Sequence, residues 1–235
     1  MSALTTNLNG ATVNANLGTG ALTSDGDADL NGESAADTVN VASGTLTLDG
    51  ALINNTATVN VEAGTLAANG TVAASSVNVA EGAALTTREA QRLNDGVALN
   101  ADGTVSLGGN ETIGDLSGSG QIQNNGSDLT VTQTSDTVFS GNITGAGGLT
   151  KQGEAGFTLA NGSDFTGDAN INEGTLTVSG ELATNTINVA EEATLTTTAA
   201  DLLSGGATLT NDGIVNLGGD DTITNLFGSL SLIHI

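Results

Sequence analysis

Thr38-Val-Asn-Val41, Thr58-Val-Asn-Val61, Ser76-Val-Asn-Val79 and Thr186-Ile-Asn-Val189 are near-copies of one tetrapeptide. The first three start at Thr38, Thr58 and Ser76, an almost even spacing. Each is followed by a turn containing Gly or Glu and then a second apolar pair, as in Gly44-Thr-Leu-Thr-Leu48, Gly64-Thr-Leu66 and Ala84-Leu85. Val alternates with Thr, Ser or Asn. Side chains of a strand point to opposite faces in turn, so one face is aliphatic and the other small and polar. Asp49-Gly50, Asn69-Gly70, Asp102-Gly103, Asn125-Gly126, Asn161-Gly162 and Asp212-Gly213 punctuate the alternation with turn-forming pairs.

A strand of three to five residues cannot bury one thin aliphatic face alone. Repeats of about 18–20 residues, each holding two or three such strands, can do so together. Wound as a coil, like strands pair in parallel and aliphatics stack on aliphatics. Asn, Thr and Ser then form ladders outside or at the corners. About 12 coils at about 4.8 Å each give a rod of roughly 55–60 Å. The expected fold is therefore all-β, a single-stranded parallel β-helix of about 18–20 residues per coil.

A longer copy lies within the chain. Residues 61–120 align without a gap onto 171–230, with 28 of 60 positions identical at an offset of 110. A gap-free copy implies a repeated backbone path, loops included. Arg88–Leu93 and its copy Thr198–Leu203 carry helix formers and no Gly, so at most a short turn of helix is expected there.

The composition agrees with a narrow interior. The 235 residues include no Pro, Cys, Trp or Tyr, four Phe and 34 Gly. A strand paired on both sides has no N–H to lose to Pro. Acidic residues number 26 against 3 basic ones, a net charge of −23. With only Arg88, Arg92 and Lys151, no basic stripe exists to neutralise nucleic-acid phosphates or to hold an anionic membrane surface. No apolar run is long enough to span a bilayer as a helix, so direct membrane insertion is not expected. Zero Cys excludes disulfides and thiolate sites. The acidic excess is expected to be a solvated surface that discourages end-to-end pairing. Met1–Asn7 lacks the features of a signal peptide, so either export is signalled elsewhere or this chain is a fragment of a longer one.

Between residues 111 and 178 the order of residues becomes specific. Phe139-Ser-Gly141, Gly145-Ala-Gly-Gly-Leu-Thr-Lys-Gln-Gly153, Gly156-Phe-Thr-Leu159, Phe165-Thr-Gly167 and Ile171-Asn-Glu-Gly-Thr-Leu-Thr-Val178 follow one another. This segment resembles the passenger-associated transport repeat of bacterial autotransporters, also described as an autotransporter-associated β-strand repeat. Phe165 stands where that family has Tyr, and Asp168-Ala169 where it has Gly-Thr, which shifts the local turn. The resemblance implies a right-handed parallel β-helix exported across the outer membrane by a C-terminal β-barrel, with the transport repeat serving secretion and folding rather than catalysis. It places the protein outside the cell or on the surface of a Gram-negative bacterium after periplasmic transit. On this reading, residues 1–110 are coils, 111–178 the transport repeat within the same β-helix, and 179–228 coils repeating 69–118. Residues 229–235 depart from the repeat, as a truncated gene would leave them. The expected partners are the chain's own barrel, absent from this sequence, and a host or bacterial surface. A monomer is expected.

Candidate chemistry is sparse. Asp27-Ala-Asp29-Leu-Asn31-Gly32 matches the start of a calcium loop, but the twelfth position is Thr38 rather than Glu. Gly108-Gly-Asn-Glu-Thr-Ile113 and Gly218-Gly-Asp-Asp-Thr-Ile223 resemble calcium turns of β-rolls, or serve as corner turns. The lone His234 lies in the non-repeat tail, so no Ser–His arrangement can form in the repeat body. Glu191-Glu192 and Asp220-Asp221 are adjacent pairs that a strand would turn to opposite faces. Lys151 reads as a surface charge beside Glu154. Phe139, Phe157 and Phe165 are expected to pack at a wider turn of the coil. No cofactor and no catalytic residue are expected, and Asp27, Asp29 and Asn31 stand as calcium candidates. The leading expectation is a non-catalytic stalk segment supporting export, folding and adhesion. A calcium-binding β-roll is the first rival. A polysaccharide-degrading β-helix enzyme is the second, with carboxylates from different coils as its requirement.

Overall fold

A computed structural model describes residues 5–229 and 231–234. Every strand pair in it is parallel, and the described residues contain no helix. The chain winds about 12 times around one axis, and most windings lay a short strand, or a single bridged residue, on each of three faces. The first face runs from Thr5–Leu8 through Thr38–Ser43, Thr58–Val61 and Ser76–Val79 to Leu116–Ser117. The Gly118–Phe139 bridge carries it on into Thr137–Phe139, Phe157–Leu159 and Gly174–Val178. The second face is one ten-stranded sheet from Thr12–Val13 to Leu182–Ala183. The third begins with Leu52–Ile53 and Val72–Ala73 and continues from Glu111–Ile113 to Asn225–Phe227.

The tetrapeptide copies decide this stack. Val39, Val59, Val77 and Leu99 pair rung on rung, as do Val41, Val61, Val79 and Ala101. All eight are buried, because the inward phase of each strand is aliphatic. Burying each Val or Leu contributes about 1.5–3 kcal/mol. The outward Asn60 donates to Asn40 and Asn78 donates to Asn60, both at 2.9 Å. Asn188 repeats this on Asn170 at 2.8 Å. The polar ladders therefore lie outside, as the alternation requires.

Winding length is more variable than the sequence period suggests. Thr5 pairs with Ala21 but Ser76 with Ala98, so the first winding is short and the later one long. The difference is taken up in the corners. Phe139, Phe157 and Phe165 are fully buried, with Phe165 opposite Gly145 and Gly141 beside the Phe139 ring.

Residues 88–93 and 198–203 form bends and turns that end in a bridged Leu, with no turn of helix. Val72 donates its N–H to Arg92 at 2.6 Å, and Leu93 bridges Val72 as an inward-facing rung. Pairing with the winding below thus consumes the backbone groups that a helix would need. Gln91 and its copy Asp201 hold φ of 54° and 55°, and each donates its N–H at 2.9 Å to the carbonyl oxygen of Asn110 or Asp220.

The gap-free copy repeats the path but not the face. Thr58–Val61 lies on the first face and its counterpart Ala169–Ile171 on the third; Thr65–Ala68 lies on the second and Gly174–Val178 on the first. The stretch from one copy to the other makes five windings and two faces, so the second copy is rotated about the axis by one face. At the C-terminal end the backbone of Ser231–His234 pairs in parallel with Ile214–Leu217. The segment that breaks the sequence repeat thus continues the backbone repeat. Met1–Leu4, Leu230 and Ile235 fall outside the described residues.

Candidate functional site

Most carboxylates sit at the corners between faces. Parallel in-register stacking would otherwise place like charges directly opposite one another, which is unfavourable. Corner carboxylates can splay, and many accept a backbone N–H from the neighbouring winding. Asp27 accepts from Thr45 at 2.9 Å, Asp102 from Ser119 at 3.0 Å, Asp128 from Gly148 at 2.8 Å and Asp136 from Gly156 at 2.6 Å. Asp212, the copy of Asp102, accepts from Ser229 at 3.1 Å. The acidic excess is therefore more than the solvated coat expected of it, because these carboxylates tie one winding to the next.

Asp115 shows the effect on acidity. Burial raises its pKa, but N–H donors from Thr134 at 2.7 Å and Ser135 at 3.2 Å, with hydroxyls of the same residues, outweigh this and hold it below the ordinary value. Glu111 behaves in the opposite way. It faces inward and is fully buried, and burial raises its pKa despite N–H bonds from Arg92 at 2.9 Å and Leu93 at 3.1 Å. Its copy Asp221 accepts from Leu203 at 2.9 Å. The Gly-Gly turns before these residues are close approaches between windings: a Cβ on Gly108 would lie 2.3 Å from the Thr87 carbonyl oxygen.

Lys151 is not the surface charge its sequence position suggests. It stands in the inward phase of Leu149–Gln152, opposite Val131 below and Ile171 above, and is fully buried. Its ammonium donates to the carbonyl oxygens of Gln152 at 3.1 Å, of Gly153, and of Glu173 at 3.1 Å. Three donors thus meet three acceptors. Burial lowers its pKa, and the carboxylates of Glu173 and Asp136 oppose that shift.

Outside this ammonium the corner opens into a groove of about 390 Å³ lined by Glu154, Glu173, Gly174 and Glu192. These glutamates come from successive windings. Glu173 is anchored by the Gly153 N–H at 2.8 Å. Glu154 also lines an adjoining groove with Asp136, Val138, Thr158, Thr175 and Thr177. Glu191-Glu192 lies in a turn rather than a strand, which is how Glu192 reaches the groove. Sequence reasoning allows carboxylates from different coils to converge but cannot name them, because corner lengths vary.

Asp27 and Asp29 lie on one outward face and line a separate shallow groove of about 470 Å³ with Thr12, Thr45 and Thr47. Asp29 accepts from the Thr12 hydroxyl at 3.3 Å, and Asn31 donates to Asn14 at 2.6 Å. Among the described residues no three His, Cys, Asp or Glu side chains are grouped to hold a metal ion. Among the same residues no helix is long and apolar enough to cross a membrane. Comparison with protein-family models, curated proteins and solved structures found no match.

Proposed function

We propose that this chain is a non-catalytic structural segment of a secreted or surface-displayed autotransporter passenger. Its windings would hold a distal region away from the cell and support export and folding, with adhesion as the activity of the whole passenger. The observation that carries the reading is the parallel stack, in which each winding pairs with the one before it. The ordered residues from Phe139 to Val178, resembling a transport repeat, add to it. The test places the chain between a secretion signal and a C-terminal translocator barrel in a Gram-negative host. Surface exposure is then read by protease added to intact cells. Display that falls when 111–178 is removed, and recovers when it is restored, is expected. Display that is indifferent to this segment, compared with removal of an equal length elsewhere, would defeat the proposal.

A second reading is favoured by one observation: Glu154, Glu173 and Glu192 line one groove. Windings lie about 4.8 Å apart, close to the roughly 5 Å carboxyl separation of a retaining glycosidase pair. On that reading the chain cleaves a polysaccharide. Reducing ends released from glycans by the native chain and not by Glu173→Gln would establish it, and no release from a broad glycan panel would remove it.

A further inference from the structure

The third-face strands Leu129–Thr132, Leu149–Gln152 and Ala169–Ile171 share one inward–outward alternation, and a period of two excludes a one-residue slip but not a two-residue one. A slip of two residues keeps every aliphatic inward and every Thr or Asn outward, at the loss of little more than a rung. Alternation alone therefore does not choose between the native register and its two-residue neighbours. Something else in the stack must.

Lys151 has the required properties. It is a charge placed in an aliphatic column, between Val131 and Ile171, with Val189 beyond. Its acceptors come from two successive corners: Gln152 and Gly153 on its own winding and Glu173 on the next. Sliding the next winding by two residues moves the Glu173 carbonyl by about 6.6 Å, out of hydrogen-bond reach. The ammonium would then be buried with an N–H lacking an acceptor, which is costly inside a protein. The nearby carboxylates of Glu173 and Asp136 would also be displaced relative to it. An aliphatic side chain of similar length at this position would tolerate either register.

We infer that Lys151 is a register pin: its buried ammonium selects the native alignment of 149–152 with 169–171 against two-residue slips. Buried ionic groups can select among structures without adding net stability, as in coiled-coil register. The inference does not depend on the proposed role in export.

The absence of native Cys makes the test direct. Thr150 and Asn170 are outward partners in the native register. Two residues away, Asp168 and Asn172 become partners of Thr150 only after a slip. Diagonal neighbours lie about 8 Å apart between Cα atoms, beyond the roughly 7 Å limit for a disulfide. Three double variants, Thr150→Cys with Asn170→Cys, Asp168→Cys or Asn172→Cys, are refolded from denaturant, oxidised and scored by mass spectrometry. With Lys151 present, only the 150–170 pair is expected to close. With Lys151→Met added, the chain is expected to fold to the same β content, and closure of 150–168 or 150–172 to rise at least tenfold. Slipped pairs that stay reduced in the Lys151→Met background would overturn the inference. So would failure of Lys151→Met to fold, since the ammonium would then be required for stability and not for register.

Discussion

Replacing Gly64 by Ala, with Gly82→Ala as its partner measurement, separates backbone strain from winding-to-winding contact. Both glycines hold positive φ, 83° and 80°, at equivalent corners. A Cβ at Gly82 meets nothing within 4 Å, whereas one at Gly64 would lie 2.0 Å from the Gly44 carbonyl oxygen. Positive φ alone costs about 1–2 kcal/mol for an L-residue. That is the whole expected loss for Gly82→Ala. For Gly64→Ala the windings must also part by about 1.4 Å (3.4 − 2.0) to restore ordinary contact. The Thr65 N–H bond to Gly44, 2.8 Å long, would then stretch past any useful distance. Losing it costs about 1 kcal/mol and the overpacking about 1–3 kcal/mol. Gly64→Ala should therefore destabilise by about 3–6 kcal/mol, using the same principles. Guanidinium titration followed by far-UV circular dichroism measures both, with amide exchange at Thr65 as the local probe. Losses equal within about 0.5 kcal/mol, the usual scatter for surface changes, would refute the claim that windings touch backbone to backbone at this corner.

Other outcomes follow from the same geometry. Asn60→Ala removes two ladder bonds and Asn188→Ala the one bond to Asn170; at about 0.5–1.5 kcal/mol each, the first should cost about twice the second in chemical unfolding. Glu111 has a folded pKa raised above its ordinary value of 4.5, so the folded state holds its proton more tightly and the native chain should lose stability relative to Glu111→Gln as pH rises through that raised pKa. Asp115, with a folded pKa below 3.8, should contribute stability above that ordinary value and lose it as pH falls through its depressed one. Comparing Asp115→Asn with the native chain across this acid range checks the sign. Calcium or chelator should leave the melting temperature unchanged, because the Asp27 and Asp29 carboxylates are already engaged by Thr45 and Thr12; a calcium-dependent rise of several degrees would favour the β-roll.

The parts of this architecture that depend on repetition are legible in the chain. Val39, Val59 and Val77 announce an inward column, and Asn40, Asn60 and Asn78 an outward ladder, because alternation and period are both local properties. What escapes is what the third dimension adds. Charge is ordinarily solvated, so the sequence alone reads Lys151 and Glu111 as surface groups, yet both occupy the inward phase of their strands; Leu149-Thr150-Lys151 carries that phase signal openly. The stretch 88–93 has helical composition, but the bridge from Leu93 to Val72 overrides it. The rotation of the second copy by one face is not foreseeable, since it depends on the summed lengths of unequal corners. For the same reason the meeting of Glu154, Glu173 and Glu192 in one groove lies beyond the sequence.

The central claim is that successive windings pair in parallel and in register. Backbone nuclear Overhauser contacts between 58–61 and 76–79 test it most directly. Contacts following Thr58–Ser76, Val59–Val77, Asn60–Asn78 and Val61–Val79 are predicted by the pairing. A reversed order, with Thr58 near Val79 and Val61 near Ser76, would mean antiparallel sheets and would contradict the account.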